Sequence, residues 1–299
     1  MLDVSRLARD GIATIQPYVP GLTDDELKVR YGLSEVVKLN ANENALGPSP
    51  LAIEAVRQEI QSAHHYPDGT SGLLRQAIAQ FHAVSENNVL VGNGSDDLIK
   101  LLSETFLEQG DEVIVPFPSF SQYSFGAAIM RANVKAVPLK PDFTIDVEAM
   151  VAQVTDKTKL VYICSPNNPT GDVLMMDAAQ WLLDRLPEQV VVVMDLAYND
   201  YSLRADRVQE TEALLADPRI AFIHTFSKLY GLAGLRVGYG LAHPDLWSYV
   251  NRVREPFNVN RLAQRAGVAA LADAKHRQAS IEHAQKGRAF YQQLASELG

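Results

Sequence analysis

Residues 190–194 read Val-Val-Val-Val-Met, and Asp195 follows directly. Successive side chains of a strand point to opposite faces, so an unbroken apolar run requires cover on both. That is the pattern of a central strand in a parallel sheet with a helical layer on each side. Six more short runs rich in β-branched residues recur at 88–91, 112–115, 134–139, 160–164, 220–225 and 236–241. Between several of them apolar residues fall at helical spacing. Leu73, Leu74, Ala77, Ile78 and Phe81 form one such face; Leu98, Leu101, Leu102 and Phe106 form another, with Gly110 placed to cap its end. Strands alternating with helices imply βαβ units. The expectation is an α/β fold: a mostly parallel seven-stranded sheet covered by helices, within a large domain at residues 46–254. The flanks read differently. Residues 1–45 are irregular, broken by Pro17, Pro20 and Gly21, and from about residue 260 the pattern is nearly all helical. Residues 1–45 and 255–299 are expected to form an N-terminal arm and a smaller, incomplete domain. Ile281, Ala284, Phe290, Tyr291, Leu294 and Leu298 share an apolar helix face that runs into the end of the sequence.

Composition removes several classes of function. Of 299 residues, 47% are hydrophobic and 21% charged, a globular balance. A net charge of −9 argues against a nucleic-acid partner. No apolar run approaches the roughly 18 residues of a membrane span. The N-terminal MLDVSRLARDG lacks the apolar core of a secretory signal. The single cysteine, Cys164, excludes an internal disulfide and a cysteine-based metal site. A cytoplasmic protein is expected, with no membrane partner.

In open parallel sheets, ligands bind beyond the carboxyl ends of the strands. The residues there are distinctive. Gly92-Asn93-Gly94-Ser95-Asp96 follows the first run and opens a helix, a place where backbone amides and the helix dipole favour an anion. Read alone, the loop is equally an Asx- or Ser-capped turn, and it does not match a nucleotide-triphosphate loop. Ser165-Pro166-Asn167-Asn168-Pro169-Thr170-Gly171 is rich in turn pairs. Asp195 is either a helix N-cap or a carboxylate that is costly to bury without a cation. Lys228, in Phe226-Ser227-Lys228, is either a solvated lysine or, desolvated near Arg236, an amine of lowered pKa able to act as a nucleophile. An anion cradle, an asparagine turn, a carboxylate and a lysine at the strand ends of one sheet suit pyridoxal phosphate.

Three separated segments make this specific. Pro166-Asn167-Asn168-Pro169-Thr170-Gly171, Asp195-x-Ala197-Tyr198 and Ser227-Lys228-x7-Arg236 resemble the signatures of the aspartate-aminotransferase-like (fold type I) enzymes that use pyridoxal 5'-phosphate. Residues 38–44 (KLNANEN), Gly47-Pro48-Ser49-Pro50, Tyr66-Pro67-Asp68 and the 92–96 loop are similar to the histidinol-phosphate aminotransferase branch. The resemblance covers nearly the whole chain.

It implies roles position by position. Lys228 would hold the cofactor covalently and then serve as general base. Asp195 would pair with the ring nitrogen, and Asn168 and Tyr198 would bond the 3-oxygen. Ser95, Asp96, Ser227 and Arg236, with Thr225, would hold the phosphate. Phe120 would stack on the ring. Tyr66 would reach the phosphate in a neighbouring subunit, implying a homodimer with shared sites, and Tyr18 would lie near the substrate. The implied activity is amino transfer between L-histidinol phosphate and 2-oxoglutarate in histidine biosynthesis, so the partners are a small amino donor and a keto-acid acceptor. An aromatic aminotransferase or a threonine-phosphate decarboxylase would use the same scaffold. A truncated, catalytically impaired cofactor-binding or regulatory protein is the alternative of another class.

Departures from the pattern are Leu196 and Ala45, where members often carry Glu and Pro, and Phe120, which lacks the hydroxyl of a tyrosine common there. No residue matches the arginine that clamps the substrate's anionic group in the family. His64-His65 has no partner at metal-ligand spacing, so no metal is expected. His224 reads as a core residue or one lying behind the site, Cys164 as a small buried hydrophobe, and Trp181 and Trp247 as packing residues.

Overall fold

A computed structural model describes residues 6–17 and 21–298, so the expected substrate residue Tyr18 lies outside the described residues. The strands are β1 (Val89–Gly92), β2 (Glu112–Phe117), β3 (Asn133–Pro138), β4 (Thr158–Cys164), β5 (Val191–Asp195), β6 (Ile220–Thr225) and β7 (Gly238–Ala242). They form one sheet in the order β1-β7-β6-β5-β4-β2-β3. β7 runs antiparallel to both its neighbours, β1 and β6, and the other pairings are parallel. The helices are α1 (Asp24–Tyr31), α2 (Pro50–Glu59), α3 (Gly72–His82), α4 (Ser95–Phe106), α5 (Gln122–Ile129), α6 (Val147–Ala152), α7 (Met176–Leu183), α8 (Glu212–Ala216), α9 (Pro244–Val250), α10 (Arg261–Ala272) and α11 (Ala274–Leu298). The α/β class and the mostly parallel seven-stranded sheet agree with the sequence reading.

The sheet divides the core into two layers. Along β5, Val192 and Met194 join Leu74 and Ile78 of α3 and Ala263 and Ala266 of α10 in one layer. Val191 and Val193 join Leu98 and Leu102 of α4, Tyr123 of α5 and Trp247 of α9 in the other. This is the two-sided cover that the apolar run at 190–194 requires. Pairing register then aligns the functional edge. Cys164 lies opposite Asp195, Asp195 opposite Ile223, Thr225 opposite Gly238, and Gly92 opposite Gly238. The carboxyl ends of β1, β4, β5 and β6 therefore meet the start of β7 along one rim.

Local details differ from the expectation. In α3, Leu73 is 56% and Phe81 39% exposed, while Leu74, Ile78 and Ala79 are buried. The apolar arc of α3 is wider than the strip the sheet covers, and Phe81 instead carries the Arg277 guanidinium over its ring. α4 ends at an extended Leu107 rather than at Gly110. Gly110 sits in the following turn at φ +94°, donating its N–H to Arg131 O. β7 begins at Gly238, because Arg236 holds a left-handed φ of +54° that a strand does not accommodate. In α11, Ile281 is half-buried, whereas Phe290, Tyr291 and Leu298 are exposed.

Candidate active site

A cavity of about 510 Å³ opens at this rim. Ten residues singled out in the sequence line it: Ser95, Asp96, Phe120, Asn168, Asp195, Tyr198, Thr225, Ser227, Lys228 and Arg236. They come from five strand ends and the helix and loops that follow them. Tyr66 is not among the lining residues; its ring is 78% exposed and stacks on Phe257 at 4.9 Å.

Asp195 terminates β5 and is only 3% exposed. Its Oδ2 accepts a hydrogen bond from the Tyr123 hydroxyl at 2.8 Å, and its Oδ1 accepts from the Ala197 N–H at 3.0 Å. A carboxylate buried this deeply calls for partners that satisfy its oxygens. No ion pair joins it among the described residues; a phenol and an amide satisfy it instead. Burial raises its pKa above the usual carboxylate range, and the Tyr123 bond offsets this only in part. A buried carboxylate with neutral neighbours, facing a cavity, is a site for a cationic N–H.

Lys228 leaves the end of β6 and is half-buried. Burial lowers its pKa, opposed by the fields of Asp96 and Glu43; the Arg236 charge, which the sequence suggested as a cause, lowers it further. Its Nζ donates to Ala41 O at 3.1 Å and lies 5.7 Å from the centroid of the Tyr198 ring. The Tyr198 hydroxyl accepts from Asn42 Nδ2 at 3.1 Å. Residues 38–43 thus cover the cavity, and Asn44 ties them down by donating to Leu229 O and Ser280 Oγ, both at 2.9 Å.

The 92–96 loop opens α4 at this rim. The first N–H groups of α4 have no acceptor within the helix. Arg236 Nη2 reaches Asp96 Oδ2 at 3.1 Å and Nη1 reaches Ser227 Oγ at 3.3 Å. The Asp96 side chain therefore orients the arginine. Gly94, at φ +88°, leaves the room: a Cβ there would lie 2.5 Å from Arg236 Nη2. Asn167 and Asn168 divide the work of their turn. Asn167 is buried, accepts from Ser119 Oγ and donates to Pro118 O and Thr170 Oγ1, whereas Asn168 faces the cavity.

These features fit pyridoxal phosphate: a basic cradle for a phosphate, an amine of lowered pKa, and a buried carboxylate lacking a cation, around a volume of cofactor size. Two contributors escaped the sequence reading. Asn42 lay in a segment noted only for its resemblance. Tyr123 lies in the first turn of α5 and carried no signal of its own, since nothing local marks which helical tyrosine meets a carboxylate 72 positions away.

The family described as Aminotransferase class I and II matches residues 34–299. The chain is similar to the histidinol-phosphate aminotransferase of Moorella thermoacetica, with 43% identity over 97% of this chain and 75% of the relative. It is 45% identical to that of an Anaeromyxobacter species, over 89% of this chain and 73% of the relative. Among solved structures it resembles histidinol-phosphate aminotransferase from Sinorhizobium meliloti in complex with pyridoxal-5'-phosphate. That likeness has a TM-score of 0.87 and 28% identity, covering 93% of this chain and 76% of the other.

Proposed function

The chain belongs to the class I and II aminotransferase family, and from that premise we propose that it moves an amino group between L-histidinol phosphate and 2-oxoglutarate, using pyridoxal 5'-phosphate. The observation that carries the reading is that Lys228 and Asp195, from adjacent strands, line one cavity with the anion cradle of Ser95, Ser227 and Arg236.

When bound, pyridoxal phosphate supplies an electrophilic carbon for an amine and a ring that accepts the electron pair left by a departing proton. The protein's residues do the rest. Arg236, Ser227, Thr225 and the first amides of α4 hold the phosphate. Asp195 keeps a proton on the ring nitrogen, which sustains the electron demand. Asn168 and the Tyr198 hydroxyl hold the 3-oxygen, with Tyr198 itself oriented by Asn42, and Phe120 covers one ring face. Lys228, its pKa lowered by burial, would serve as the general base that takes up the substrate α-proton at Nζ, and as the acid that gives it back to the carbon on the far side of the linking nitrogen. An adjoining cavity of about 890 Å³ shares Asn168, Tyr198 and Lys228 and is bordered by Arg204, His283 and Arg288; in this reading it would admit the substrate.

In the same reading residues 46–254 are the cofactor-binding domain, which contains all seven strands, flanked by 1–45 and 255–299. The protein works as a homodimer, with the exposed Tyr66 offered to the partner's site. Cytoplasmic action is part of the same reading. Among the described residues no helix is long and apolar enough to cross a membrane. The test compares donors in single half-reactions. Histidinol phosphate should convert the bound cofactor's absorbance, and phenylalanine and threonine phosphate should do so far more slowly. Conversion by phenylalanine with no response to histidinol phosphate would sink the assignment.

A further inference from the structure

Asp195 is held by a residue that nothing in the family resemblance assigns. Tyr123 is fully buried in α5 and donates to Asp195 Oδ2 at 2.8 Å. Its ring is fixed on two sides, stacked on Tyr162 at 4.6 Å and 11°, and edge-on to Phe120 at 5.6 Å and 81°. One side chain therefore links the carboxylate at one wall of the cavity to the aromatic ring at another. Stacking leaves the phenol little freedom, so its O–H is aimed before any ligand arrives.

We propose that Tyr123 is a positioning residue: its hydroxyl fixes the rotamer of Asp195 and moderates how strongly that carboxylate attracts the proton on the cofactor's ring nitrogen. The inference rests on the cofactor reading above. A hydrogen bond donated to a carboxylate stabilises its charged form. Without it Asp195 becomes the stronger base, the shared proton shifts toward it, and the ring loses positive charge. The nitrogen joining Lys228 to the cofactor then holds its own proton more tightly.

The experiment titrates the visible absorbance of the holoenzyme against pH. In Tyr123→Phe the midpoint moves up by roughly half a unit or more, and kcat falls about tenfold with KM for histidinol phosphate within about twofold. Replacement of Tyr123 by 3-fluorotyrosine, a stronger donor of the same shape, moves the midpoint down. Tyr162→Phe preserves the stack and leaves the midpoint in place. The proposal is overturned if Tyr123→Phe leaves the midpoint unchanged or lowers it, or if Tyr162→Phe shifts it equally, which would assign the effect to packing. Failure of the cofactor reading looks different, since the unmodified chain would then bind no pyridoxal phosphate at all.

Discussion

Arg236 Nη2 lies 3.1 Å from Asp96 Oδ2, so one guanidinium spans the gap between the loop after β6 and the first turn of α4. A phosphate seated at that helix end would share the guanidinium with Asp96. Charge-assisted hydrogen bonds contribute about 1.5–3 kcal/mol, and the exposure of this pair favours the low end. Arg236→Ala should therefore weaken pyridoxal phosphate binding by roughly tenfold. Arg236→Lys, which keeps the charge but not the fork, should lie between. Equilibrium titration of the apoprotein measures both, and an unchanged affinity would show that the cradle is elsewhere.

Gly238 offers a test of the rim's geometry. A Cβ there would lie 2.7 Å from both His224 O and Ser95 N. The neighbouring atoms are backbone and cannot rotate away. Gly238→Ala should lower stability by about 1–3 kcal/mol and displace the N-terminus of α4, weakening cofactor binding as well. Chemical denaturation and cofactor titration of the same variant check the two effects together.

A buried network behind the sheet sets a pH dependence of stability. Burial holds His82 down to about 4, so the folded state resists its protonation. Burial pushes Glu210 up, but the His224 charge, its contact with His224 and the charge of His82 together outweigh that and hold it down to about 2. For His224, burial disfavours the charge, but Glu210, Asp200 and Asp195 together outweigh it and raise the pKa. The signs follow from linkage. His82 contributes stability above pH 6.5 that is lost as pH falls toward 4, and Glu210 contributes stability lost between about 4.5 and 2. His224 acts oppositely, losing its contribution as pH rises through its raised value. Denaturant midpoints should fall between pH 6.5 and 4, with His82 responsible for on the order of 3 kcal/mol. In His82→Gln that slope should flatten; an unaltered slope would clear His82 of the role.

Asn42 tests the cover over the cavity. Its amide donates to the Tyr198 hydroxyl at 3.1 Å. Asn42 holds a left-handed φ of +51°, so Asn42→Gly, which accepts that backbone, should lower kcat/KM by several-fold, the usual worth of one neutral hydrogen bond of about 1 kcal/mol, with no loss of fold. Steady-state kinetics beside a thermal melt distinguish this from general destabilisation.

The strands were legible because a two-sided core leaves no polar position in β5, and each chemical residue sits where such a strand stops. The direction of β7 was not, since an apolar run reads the same in either sense. Local periodicity marked α3 but not how much of its arc is covered, which depends on where the sheet's edge falls; hence the exposed Leu73 and Phe81. Lys228, Asp195 and Arg236 could be read because their motifs are short. The Tyr123–Asp195 and His224–Glu210 contacts could not, because chain folding alone joins them, the first across 72 positions.

Lys228 is placed to form an imine with pyridoxal phosphate in the cavity that Asp195 also lines. Borohydride reduction of the holoenzyme followed by peptide mapping tests it most directly. The predicted result is a single pyridoxyl-modified peptide containing Lys228, with bleaching of the visible absorption, and no modified peptide in Lys228→Ala. Modification of another lysine, or the same labelled peptide persisting in Lys228→Ala, would contradict it.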